Sequence, residues 1–168
     1  CKSIGSECMR ENKNIYYQAR KKAMTHNEVL SNRERAAELL GVSQSTLSDY
    51  ELGITKIVPV DKVALMADLY NCPELRTGYC KHECPIGRHI PLATSISGIE
   101  GVSLKLIRLL DFNEIKKIEK SLVCIAEDGV ISEDEKPTLR NIIDSFDEMS
   151  VVISELKLIG EKILKGKR

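Results

Sequence analysis

The chain has 168 residues, about one and a half domains by length, with 25 basic against 25 acidic side chains and a formal net charge of zero. That balance offers no global attraction to a polyanion, so any nucleic-acid contact must come from local clusters such as Arg20-Lys21-Lys22, Arg33, Arg35 and Lys56. No stretch has the apolar length that spans a bilayer and no signal peptide is visible, so no membrane role is expected; a cytoplasmic location is expected if those local clusters meet DNA.

The densest local information lies between Ser31 and Gly53. Ser31 followed by Glu34 has the form of a capping box and predicts a helix starting at Asn32 or Arg33. Ala36, Ala37 and Leu40 supply its buried face, with Ala37 small enough for a second helix to approach. Gly41 can take the left-handed conformation that ends the helix, and Val42 fills the space behind the turn. Ser43 caps a second helix in which Leu47 and Tyr50 face inward. Its other side carries Gln44, Ser45, Thr46, Ser48 and Asp49, short polar groups suited to the donors and acceptors of major-groove base edges. Two helices joined this way are a helix-turn-helix, and the implied partner is double-stranded DNA.

The run resembles the phage-repressor (Cro/cI-like, xenobiotic-response-element) helix-turn-helix family through Ala37, Gly41, Val42, Ser43, Leu47, Ser48, Tyr50, Glu51 and Gly53. Ile15, Tyr16, Ala19 and Arg20 fit that family's first helix, and Pro59 with Val63, Ala64 and Leu69 fits its fourth. Arg33 stands where the family often has Gln, and the loop from Met24 to Leu30 looks longer than usual. The resemblance implies a lambda-repressor-like DNA-binding domain over residues 8–71, in which Gln44, Ser45, Thr46, Ser48 and Asp49 read bases while Arg33, Lys56 and Lys13 contact phosphates.

Residues 72–90 form a cysteine-rich hook, with Cys72, Cys80 and Cys84 at C-x7-C-x3-C spacing. Cys8 precedes the first helix, and the resembling fold brings it to the same side, so four thiolates could share one metal. Cytoplasmic cysteine clusters are more often metal-binding or redox-active than disulfide-bonded. The Cys72-Pro73 and Cys84-Pro85 dipeptides favour an iron–sulfur cluster; zinc, with His82 as a possible ligand, and free thiols are the alternatives. Cys124 reads as a small buried hydrophobe on a helix face.

Trp is absent, Phe occurs only at Phe112 and Phe146, and four of the five Tyr lie between Tyr16 and Tyr70, so the two halves have cores of different kinds. Gly87, Pro91, Gly98 and Gly101 mark a boundary in 86–101, with 91–101 as linker and 102–168 as a helical C-terminal unit. Asp111 with Glu114 caps a helix carrying Ile115, Ile118, Leu122 and Ile125. Ser132 with Glu135 caps the next, with Pro137 in its first turns. Leu139, Ile142, Phe146, Met149, Ile153, Leu156, Gly160 and Ile163 then alternate in steps of three and four, a heptad seam that must be covered by a neighbouring helix of the same chain or by a second subunit.

The whole reads as an all-α protein: a helix-turn-helix domain, a cysteine-rich hook, and a C-terminal helical hairpin or coiled-coil unit that makes a homodimer. The function that follows is sequence-specific DNA binding by a transcriptional regulator of bacterial or phage type. The competing reading is an antitoxin or adaptor whose C-terminal helices hold a protein partner. An enzyme is disfavoured, because no triad, phosphate loop or carboxylate pair can be assembled around His26, His82 and His89.

Overall fold

The computed structural model describes residues 12–127 and 129–165, and every regular element among them is helical. None of these helices is long and apolar enough to cross a membrane. Cys8, and with it the start of the expected first domain, lies outside the described residues. The chain divides into two compact units between Leu75 and Arg76.

In the first unit, α1 (Ile15–Ala23) is capped by Asn14, whose side-chain oxygen accepts from the amides of Tyr16 at 2.9 Å and Tyr17 at 3.2 Å. It buries Tyr16, Ala19, Arg20 and Ala23, one face of a helix at steps of three, one and three. A 3-10 turn at Glu28–Ser31 drives Leu30 fully into the core. The cap of α2 (Arg33–Leu40) is Asn32, accepting from Glu34 N at 2.8 Å and Arg35 N at 3.3 Å. Ser31, expected in that role, closes the 3-10 turn instead; Asn caps at least as well as Ser, so the helix start is unchanged. Gly41 ends α2 at φ 61°, and Val42 N returns to Ala37 O at 3.0 Å. Lys62 Nζ satisfies the Leu40 carbonyl at 3.0 Å.

Ser43 caps α3 (Gln44–Leu52), which stops at Gly53 with φ 72°. Asn12 and Asn14 tether its end, donating to the carbonyls of Glu51 and Tyr50 at 2.9 Å each. In α4 (Val60–Leu69), which follows Pro59, Val63, Met66 and Ala67 form the buried face and Ala64 is exposed. Leu30, Leu40, Leu47, Val58, Val63 and Met66 are the centre of this core.

The hook spans the division between the units and is largely helical, because α5 (Glu74–His82) carries Cys80 within it. The chain then turns back over α5 so closely that a Cβ on Gly87 would lie 2.2 Å from the Cys80 carbonyl oxygen, which only glycine permits. Helices α6 (Ile99–Leu109) and α7 (Phe112–Ala126) pack on α8 (Lys136–Lys165). Asp111 caps α7 as its sequence implies, accepting from Asn113 N and Glu114 N at 2.9 and 3.3 Å. Ser132 binds Glu135 through N and Oγ at 2.8 and 2.7 Å, one turn ahead of α8. Val102, Val152 and Ile159 form the centre of the second unit, with Ile96, Leu106, Leu109 and Leu156 around them.

The break between units comes earlier than the glycines of 86–101 suggest, because residues 76–98 are tied to α8. Arg76 pairs with Glu161 at 2.5 Å, Ala93 N donates to Ser154 Oγ at 3.3 Å, and Ser97 donates to Glu155 through N at 2.7 Å and Oγ at 2.6 Å. Burial pushes the Glu155 carboxyl up, but the two Ser97 hydrogen bonds and Lys105 outweigh it and hold it below its ordinary 4.5. A depressed folded-state pKa means the stabilisation is complete above the unfolded value and is lost as pH falls through the lower folded value. In acid titration of the parent and Glu155→Gln, the variant should be less stable at pH 7, and the difference should shrink below about pH 4 as the parent's carboxylate is protonated. A gap between the two that is independent of pH would show that the carboxylate charge does not hold this strap.

Candidate nucleic-acid interface

The inward side of α3 consists of Leu47, Tyr50 and Glu51, all buried. With 3.6 residues per turn, the opposite side is centred on Ser45, Ser48, Asp49 and Leu52, spaced i, i+3, i+4 and i+7. Gln44 and Ser45 are exposed, and Thr46, Ser48 and Asp49 are half-exposed, so all five expected base readers reach solvent. Leu52, 60% exposed on the same stripe, belongs with them. Its position, seven residues after Ser45, was the available signal; its apolar character hid it among core residues.

These polar groups are not equivalent. Ser43 Oγ accepts from Thr46 N at 3.0 Å and lies 2.8 Å from both Ser45 Oγ and Thr46 Oγ1. The three hydroxyls therefore hold one another at the helix start, while the Gln44 amide, the Ser48 hydroxyl and the Asp49 carboxylate have no side-chain partner among the described residues.

Behind α3, Glu51 is completely buried and holds two arginines. Arg20 donates to it from Nε at 2.5 Å and from a terminal nitrogen at 3.0 Å, and places its other terminal nitrogen on the Leu30 carbonyl at 2.9 Å. Arg33 Nε donates to the second Glu51 oxygen at 3.0 Å. Three elements (α1, the 3-10 turn and α2) are thereby fixed to the back of α3. The Glu51 hydrogen bond raises the pKa of the Arg20 guanidinium, which stays charged despite its burial. Nearby, burial and then the Glu51 charge push the Tyr70 phenol up, and its hydroxyl is buried without a hydrogen-bond partner among the described residues.

This corrects the reading of Arg20-Lys21-Lys22 as a phosphate-facing cluster. Arg20 is 3% exposed and structural, because it occupies the buried stripe of α1; Lys21 and Lys22 are exposed, and Lys21 Nζ lies 5.5 Å from the Tyr17 ring centroid. Arg33, assigned to phosphate, is committed through Nε to Glu51 and keeps only part of its guanidinium toward solvent. Lys13 and Lys56 are exposed with no ion pair among the described residues.

The family model described as "Helix-turn-helix" matches residues 18–75. That span contains the α2–Gly41–α3 turn and the Arg20–Glu51–Arg33 brace. Residues 18–75 are a helix-turn-helix domain of the phage-repressor family. The match ends where the first compact unit ends, at Leu75. No curated protein and no solved structure matches the chain.

The cysteines divide between the units. Cys72 is buried in the helix-turn-helix unit, whereas Cys80 and Cys84 are half-buried in the second. None of Cys72, Cys80, Cys84 and Cys124 forms a disulfide, and among the described residues no three His, Cys, Asp or Glu are grouped to hold a metal ion. The expected set with Cys8 extends outside those residues. Cys124 is exposed on α7, not buried as its apolar neighbours suggested; Ile125 takes the inward position beside it.

Proposed function

We propose that the chain is a sequence-specific DNA-binding transcriptional regulator that inserts the outer face of α3 into the major groove. The observation that carries this is the contrast between the two sides of α3. One is locked by the buried Glu51 brace, and the other exposes short polar groups, of which Gln44, Ser48 and Asp49 have no side-chain partner among the described residues. A rigid helix with such a polar face matches the demands of base-edge readout, in which small displacements lose bidentate geometry.

Gln44→Ala and Ser45→Ala test it directly. Each should cost about 1–3 kcal/mol on the preferred site and leave non-specific binding unchanged, since a hydrogen bond to a base edge is removed and the phosphates stay neutralised. Parent-like affinity for the preferred site in both variants would remove α3 as the reader. Phosphate contact is assigned to Lys13, Lys56, Lys21 and Lys22, exposed cations of this unit. Lys56→Ala, and a double change at Lys21 and Lys22, should weaken all sequences alike and flatten the salt dependence by about one unit for each phosphate no longer neutralised. An unchanged slope in both would displace the interface to another face.

The second unit is assigned to self-association. Val152, Leu156 and Ile159 of α8 are covered within the unit, yet Phe146, Ile153 and Ile163 of the heptad seam are 44%, 37% and 55% exposed. A seam only partly covered by its own chain suits a second copy, which would also place two helix-turn-helix domains on two half-sites.

A further inference from the structure

Of the polar groups on the outer face of α3, only one has a single hydrogen-bonding sense. Hydroxyls donate or accept and amides do both, so Gln44, Ser45, Thr46 and Ser48 can each suit more than one base. The Asp49 carboxylate only accepts. It sits at the middle of the exposed stripe, between Ser45 and Leu52, and has no cation or hydrogen-bond donor for its side chain among the described residues. Its backbone carbonyl is used to end the helix, accepting from Ile54 N at 2.9 Å.

A carboxylate facing DNA is repelled by phosphates and must meet a donor. The major groove presents two, the exocyclic amines of cytosine and adenine. On adenine the amine lies beside the N7 acceptor, which would oppose the second carboxylate oxygen; on cytosine the neighbouring atom of the same base is C5–H. Guanine offers acceptors on that edge and thymine an acceptor and a methyl group. We propose that Asp49 selects cytosine, through its N4 amine, at one position of each half-site, and rejects guanine and thymine there. This rests on the DNA-reading role of α3 and adds the identity of a base to it.

The test is selection from a random duplex library with the full chain, carried out for the parent, Asp49→Ala and Asp49→Asn, followed by competition binding at fixed salt. The parent should require cytosine at one position, with about ten- to hundredfold weaker binding when it is replaced. Asp49→Ala should lose that preference alone, and Asp49→Asn, which can pair with adenine N6 and N7, should move it toward adenine. Both variants remove the same charge, so any change in general affinity for DNA should be common to them and is read separately. The inference is overturned if Asp49→Ala keeps the parent's preferences at every position, or if the position that changes is not a cytosine. A parent that enriches no motif would instead overturn the DNA-reading role on which it rests.

Discussion

Glu51→Ala should unfold the helix-turn-helix unit under conditions where the parent is fully folded. The substitution leaves the Arg20 guanidinium, 3% exposed, without its carboxylate, and breaking a buried pair in this way costs about 3–5 kcal/mol. For a small domain that is a large share of its total stability. Arg20→Ala should be comparably severe, because it strands the Glu51 charge and frees the Leu30 carbonyl. Arg33→Ala should cost less, since Arg33 is 35% exposed and Arg20 remains on Glu51. Replacing Arg20 and Glu51 together by Met should recover much of the loss, as apolar substitutes for buried ion pairs often do. Urea unfolding followed by tyrosine fluorescence separates these outcomes, because Tyr16, Tyr17, Tyr50 and Tyr70 all lie in this unit and only Tyr79 lies outside it. Near-parental stability of Glu51→Ala would mean that the brace does not hold α3.

The second large effect concerns the C-terminal unit. Phe146→Asp combined with Ile153→Asp should give a monomer in sedimentation that keeps its helical content and binds its preferred site about a hundredfold more weakly, because one half-site no longer recruits the other. These two positions are the proper test. Leu156, central to the same seam, packs against the Val102–Val152–Ile159 cluster, so a charge there would damage the unit itself. A parent that sediments as a monomer at micromolar concentration would contradict the self-association assigned to this unit.

The two helices around Gly41 were legible because their signals are local: a capping residue, small residues inside, and a glycine that the turn holds at positive φ. The Glu51 brace was not, because it joins Arg20 to a residue 31 positions away and a run of three cations looks like a solvated face. Arg20 shares the buried stripe of Tyr16, Ala19 and Ala23, a periodicity that the reading of the three cations as one cluster passed over. The hook shows the opposite failure. The cysteine spacing masks the helical character of Glu74–His82, and Gly87 serves a close backbone approach that no local pattern announces. In α8 the alternation of three and four identified the helix but not which edge of its apolar stripe is covered within the unit. The stripe facing α6 runs through Leu156 of the seam together with Val152 and Ile159, which widen it on one side.

The central claim, that the outer face of α3 reads base sequence, is tested most directly by comparing the full chain's affinity for its selected duplex with that for a scrambled duplex of the same composition at one salt concentration. Sequence-specific regulators bind the former about a thousandfold or more tightly, and that ratio is expected here. Equal affinities, with the protein folded and dimeric, would contradict it.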